Sequence, residues 1–507
     1  MLSGERLRTL FAGLGPVVVA SMVVVALATG AAASSIVIAQ STDATSMDPA
    51  FRGDSATGNV QRHIFDPLLI RTPDMTIQPG LAESVRRVSD TKWVVKLRKG
   101  VTFSNGEPMN AEAVKFSLER ILDPKLKAPT RQWWANFEKV EAVDEHTVEI
   151  TTASLDPLFQ ARLTLLAVVP PKYLREVGDS KFSLQPIGTG PYKLTEWKKD
   201  DHATLIANPT HWGGKPTIER VTFRVVPEEL SRVAALQTGE ADIVVGLSPA
   251  QGDFLRTAKN LRVETAPGTR VMTLMFDPDA APGGNLKFRQ AVAHAVNREE
   301  IIKGLFKGYA VSLKSIFSPG IPFWPKEIDT AFPYDPEKAK KLVTELGLGN
   351  AEIVMRTSSG RYPFDRETAL AIGAQLTKVG LNVKVRPDEW NSFFNDLKAK
   401  NMSAVFLMGQ GNVWFDPYPQ IEAFHYSKGF LSTWRDPEID ALLDASHKAE
   451  GAERAKVFGQ ALQKLHDTAA AVPLFAQVYI FGVNNRVKWS PRPDEQIWAA
   501  EMELASK

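Results

Sequence analysis

Few residues in this chain stand at spacings that do covalent chemistry. Gly246-Leu247-Ser248-Pro249-Ala250 approaches the Gly-x-Ser-x-Gly turn that exposes a nucleophilic serine, but its fifth residue is alanine. Pro249 should also resist the helix that such a turn must start. Gly188-Thr189-Gly190 lacks the third glycine of a dinucleotide loop and the lysine of a phosphate loop, so it reads as a tight turn before a strand from Tyr192 to Leu194. There is no cysteine, which removes disulfides, thiolate catalysis and cysteine-held metals. Eight histidines are present, and the closest pair, His202 and His211, lacks the spacing of a helical or hairpin ligand set. No catalytic residue, metal site or cofactor is expected, and the protein is read as a non-enzyme.

The surrounding elements are those of an α/β protein. Trp93, Val95 and Leu97 alternate with Val94, Lys96 and Arg98, and Leu381, Val383 and Val385 alternate with Asn382, Lys384 and Arg386; both patterns predict half-buried strands. Helices are marked by their first residues. Asp335-Pro336 and Asp436-Pro437 each place a capping carboxylate before a proline whose fixed φ suits the first turn, and Gly347 suits the end of the first of these helices. Asn110 and Asp365 open two more, and a last long helix carries Val457, Phe458, Ala461, Leu462 and Leu465.

The chain has 507 residues, 44% hydrophobic and 23% charged, enough for two to four lobes of an ordinary soluble protein. Its formal net charge is only +2, which gives no electrostatic footprint for nucleic acid. Arg6 and Arg8 precede an uncharged run ending in Ala31-Ala32-Ala33, the order of a secretory signal peptide, and cleavage after Ala33 is expected. The same stretch is long enough to serve as an uncleaved anchor, a reading that Pro16 and its glycines oppose. Without a cysteine to carry a lipid, free diffusion in a Gram-negative periplasm is expected.

In order and over nearly the whole mature chain, the elements resemble the family 5 extracellular solute-binding proteins of ATP-binding-cassette importers. The resemblance rests on Lys92 to Pro108, which reads KWVVKLRKGVTFSNGEP, with the helix from Ala111 to Leu122 after it. It continues through Gly188-Thr189-Gly190-Pro191-Tyr192, Trp212-Gly213-Gly214-Lys215-Pro216, Leu236 to Asp242 and Phe288 to Asn297. It implies a two-lobed clamp with an extra subdomain in lobe I and a hinge between lobes. The expected boundaries are 1–33 signal peptide, 34–271 lobe I with the subdomain at about 60–180, 272–478 lobe II, and 479–507 returning to lobe I. A monomer would capture a peptide-like or opine-like solute and hand it to a permease and ATPase complex at the inner membrane. Oligosaccharide, sugar-like or metal-chelate binding, and a periplasmic chaperone or sensor role, are the alternatives; His425 is the one histidine near the implied pocket.

In peptide-binding relatives an arginine after a lobe II strand grips the peptide carboxylate, and Arg361, beside Tyr362, falls at about that place. A guanidinium suits that task because its planar fork donates two parallel hydrogen bonds. The relatives' Gly-Trp-x-x-Asp-x-x-Asp-Pro stretch reads Gly409 to Pro417 here. Val413 replaces the aspartate that pairs with a peptide ammonium, while Asp416 is kept, either facing the ligand or capping a turn before Pro417. Trp390, Trp414 and Trp434 are candidate stacking surfaces in lobe II, with Met47 and Trp134 opposite them; each could equally be core.

Overall fold

The computed structural model describes residues 34 to 505, apart from positions 53, 323 and 349. The expected leader and its cleavage site before Ser34 lie outside the described residues, and among those described no helix is long and apolar enough to cross a membrane.

Among the described residues, one eleven-stranded sheet runs through the protein. Its order is Asn382–Asp388, Glu352–Ser358, Val405–Gln410, Leu261–Phe276, Ala471–Asn484, Ile243–Val245, Ser35–Gln40, Arg220–Val225, His202–Ala207 and Tyr192–Lys198, with Ala310–Ser312 also beside Ala471–Asn484. The order sorts the chain into two lobes. Strands from before residue 250 occupy one end and strands from 352 to 410 the other, each end containing parallel pairs covered by helices.

Among the described strands, only Leu261–Phe276 and Ala471–Asn484 belong to both lobes. They pair antiparallel along most of their length, Leu261 to Pro267 against the lobe I end and Val271 to Met275 against the lobe II end, with a register break between Pro267 and Val271. Such a break interrupts the ladder and bends the strand at that point.

A separate four-stranded sheet, Ala82–Arg87, Lys92–Leu97, Phe137–Asp144 and Thr147–Thr152, packs with the helix Ala111–Leu122 to form the subdomain of lobe I. Trp93, Val95 and Leu97 point into its core, as their alternation predicts. The proline-led helices also form as predicted, Pro336–Leu346 ending at Gly347 with φ 62° and Pro437–Lys448 capped by Asp436.

Two local expectations are corrected. Pro249 begins the helix Pro249–Leu255 instead of preventing it, with Ser248 as its cap, because the first helical position needs no backbone N–H. Asp365 is the first residue of its helix and not the cap; Phe364 occupies the cap position without a side-chain bond, and the Asp365 carboxylate turns back to accept the backbone N–H groups of Gly360, Arg361 and Tyr362.

Candidate functional site

The two shared strands leave a cavity of about 340 Å³ between the lobes. Lobe I supplies Arg52, Asp54, Arg62, Arg71 and Trp133; the crossing strands supply Thr269, Arg270 and Tyr479; lobe II supplies Asn412, Val413 and Phe415. The C-terminal segment adds Pro493, Asp494, Glu495 and Gln496.

That segment reaches the cavity because it is sewn onto the helix Ser55–Ile64. Ser55 donates to Glu495 at 2.9 Å, Ile497 N donates to Asn59 Oδ1 at 3.0 Å, and Ala499 N donates to His63 Nε2 at 2.9 Å. His63 therefore keeps its proton on Nδ1, which donates to Asn59 O at 2.7 Å, and burial lowers its pKa to about 4. Arg492, 1% exposed, donates its Nε and Nη2 to the two oxygens of Asp494, and further bonds reach Glu501 and Arg71 O. None of these C-terminal residues was singled out from the sequence; the dense run Arg492-Pro493-Asp494-Glu495-Gln496 was the available signal.

On the lobe II side the loop after Val405–Gln410 is held by its own side chains. Asn412 Nδ2 donates to Asp416 O at 2.7 Å, and Arg454 donates both Nη groups to the Asp416 carboxylate at 2.6 and 2.8 Å. Asp416 also accepts from Tyr418 N at 2.9 Å, so its carboxylate is committed to shaping the loop. It borders a second interlobe cavity of about 250 Å³, with Arg71, Arg87 and His447. Val413, 60% exposed, projects at the larger chamber instead.

Trp414 is where the lobes meet. Arg71 Nη2 donates to its carbonyl at 2.5 Å, the Trp133 ring lies edge-on with centroids 5.9 Å apart, and Arg162 Cζ stands 4.8 Å from its centroid. Arg87 and Glu450 add an ion pair across the gap at 2.9 Å.

The other sequence-selected residues fall farther out. Arg361 is exposed and lies over the rings of Tyr362 at 5.3 Å and Trp390 at 5.1 Å, while Tyr362 is 5% exposed and donates to Gly409 O at 2.9 Å. Arg270, which lines the chamber, lies 5.2 Å from the same Tyr362 ring, so Arg361 stands one ring removed from it. Trp390 is half-buried against Phe393 and Phe394.

Met47, Trp134 and Trp434 are core residues and not cleft walls. Met47, just before the short helix Pro49–Phe51, and Trp134, the last residue of the short helix Pro129–Trp134, belong to two lobe I clusters, Trp134 edge-on to Phe137, where burial takes their large apolar side chains out of water. Trp434 packs in a lobe II cluster under Arg289. His425 is fully buried, neither ring nitrogen has a partner, and burial lowers its pKa to about 3. Among the described residues no cluster of three His, Asp or Glu is arranged to hold a metal.

Two lobes joined by a pair of long strands, with a chamber lined from both, define a clamp-type solute-binding protein. Residues 76–432 match the bacterial extracellular solute-binding proteins, family 5 (middle), and the chain belongs to that family of importer components. The glutathione-binding protein GsiB of Shigella flexneri serotype 5b is 31% identical over 362 residues, 70% of this chain and 70% of that protein. The ABC transporter substrate-binding protein CtaP from Listeria monocytogenes is 25% identical, with a TM-score of 0.80 over 93% of this chain and 99% of its own. HbpA2 from Haemophilus parasuis, 23% identical, has the same fold at a TM-score of 0.86, covering 93% of this chain and 100% of its own.

Proposed function

We propose that this protein captures a peptide-like or opine-like solute in the interlobe chamber, in the periplasm, and presents the closed clamp to a membrane permease powered by an ATPase. The observation that carries the reading is that lobe I, the crossing strands and the loop at Val413 all line one cavity. A ligand touching both lobes favours the closed arrangement by its differential affinity, which is how a clamp signals occupancy without catalysis. The glutathione-binding relative makes short peptides and their derivatives the first class to test. Val413, apolar and facing the chamber, argues against a free α-amine as the main anchor. Arg361 and the Tyr362–Trp390 pair form the lobe II rim of the site, reaching it through Arg270.

A thermal-shift screen of glutathione, di- and tripeptides, opines, oligosaccharides and nickel chelates tests the assignment. A hit from the first three groups should raise the apparent stability by about 2.7 kcal/mol at a hundredfold excess over Kd. N-acetylation of a peptide hit should change its affinity less than tenfold. Stabilisation by oligosaccharides or chelates alone would overturn the solute class, and no stabilisation by any group would overturn capture.

A further inference from the structure

Arg62 stands apart among the arginines of the chamber. It sits in the last turn of the helix Ser55–Ile64, 8% exposed, and neither Nε nor Nη2 has a hydrogen-bond partner among the described residues. Elsewhere in this protein the same Nε and Nη2 edge holds a carboxylate side-on: Arg492 grips Asp494 at 3.0 and 2.9 Å, and Arg486 grips Asp242 at 2.6 and 2.7 Å. The acids around Arg62 are already engaged. Asp494 and Glu501 accept from Arg492, Asp54 accepts from Thr57, and Glu495 accepts from Ser55.

A buried cation without an acceptor is expensive to keep unless a partner arrives. Burial and the neighbouring Arg492 lower its pKa to about 10, so it stays charged at neutral pH. The wall around it is polar and short of partners as well, since Gln496 Oε1 and Trp498 Nε1 are buried without them, and Arg62 Cζ lies 4.9 Å from the Trp498 ring. Across the chamber Arg270 forms no ion pair among the described residues, and Val413 places no acid opposite.

Building on the capture reading, we propose that Arg62 is the anchor of an oxyanion subsite, so that the solute carries a carboxylate which Arg62 holds in the chamber, with Arg270 as the second cation. The solute then supplies the acceptor that the fold withholds. Closure strengthens the pairing because it removes water from the charged groups.

The probes are sodium sulfate, titrated against chloride at constant ionic strength, and glutathione beside its diethyl ester, in which both carboxylates are masked. Wild type, Arg62→Met and Arg62→Lys are compared by melting temperature and calorimetry. Sulfate should raise the melting temperature of wild type by more than 2 °C and leave Arg62→Met unmoved. Glutathione should bind wild type at least tenfold more tightly than the ester, and Arg62→Met should erase that difference. Arg62→Lys, which keeps the charge without the fork, should fall between them. Ligand-free Arg62→Met should melt no lower than wild type, because it loses a partnerless buried charge.

If sulfate acts as expected but glutathione does not bind, the subsite stands and the peptide-like class fails. If glutathione and its ester bind wild type and both variants alike, the subsite fails while capture stands. A variant that melts several degrees lower with unchanged responses to sulfate and glutathione would make Arg62 a structural residue and overturn the proposal.

Discussion

The histidines show most directly how burial sets chemistry at the residue scale. His63 is satisfied on both nitrogens and His425 on neither, yet both are fully buried and both are held neutral, with pKa values of about 4 and about 3. A folded-state pKa below the unfolded value of about 6.5 means that the unfolded chain takes up a proton first as pH falls. The stabilisation is complete above about pH 6.5 and is lost as pH drops towards 4, by roughly 3 kcal/mol for His63 alone. Urea unfolding between pH 7 and 4 should show this loss, and His425→Leu should flatten part of the slope. A variant that keeps the whole pH dependence would show that His425 is not among its sources. Of the residues that spacing and resemblance selected, Val413 faces the chamber, Trp414 bridges the lobes and Asp416 spends its charge on Arg454. Sequence shows that these residues are apolar, aromatic and acidic in turn; it does not show which neighbour reaches them first.

The C-terminal segment governs the site at the element scale. Arg492 ties Asp494, Glu501 and Arg71 O together, so that the residues after it lie along the helix Ser55–Ile64. Arg492→Met would leave the 3%-exposed Asp494 side chain without its cation, and removing one partner of a buried pair costs about 3–5 kcal/mol. Denaturant unfolding should register that cost, together with weaker solute binding, because Asp494 to Gln496 line the chamber. Stability within about 1 kcal/mol of wild type would mean that the network is not what holds the segment. The helices and strands of the subdomain were legible beforehand because their apolar periods and caps are local. This segment has no such period, and its partners lie more than four hundred positions away.

At the scale of the whole molecule, the contacts at Trp414 make closure a measurable equilibrium. Trp133 and Arg162 come from lobe I and the indole from lobe II, so Trp414→Ala removes ring contacts that exist only while the lobes touch and leaves the Arg71 bond to the backbone carbonyl in place. Small-angle scattering should show a larger radius of gyration for ligand-free Trp414→Ala than for wild type, and saturating solute should bring the two together. Its affinity should fall by the factor that its closed population loses. Equal radii in the absence of solute would show that Trp414 does not hold the clamp shut. The Arg87–Glu450 pair, with its Glu450 carboxylate exposed, should matter far less, about 0–1 kcal/mol, because water screens it.

By itself the sequence determined the α/β class, the capped helices, the alternating strands of the subdomain and the family, because periodicity, caps and a long ordered motif set are properties of neighbouring residues. Tertiary structure alone decided the site. Met47, Trp134 and Trp434 were drawn into cores, while Arg62, Arg270 and Asp494 to Gln496, from three distant parts of the chain, were brought to one cavity. Burial and pairing across hundreds of residues depend on which strands become neighbours, and here two long crossing strands settle that for both lobes at once.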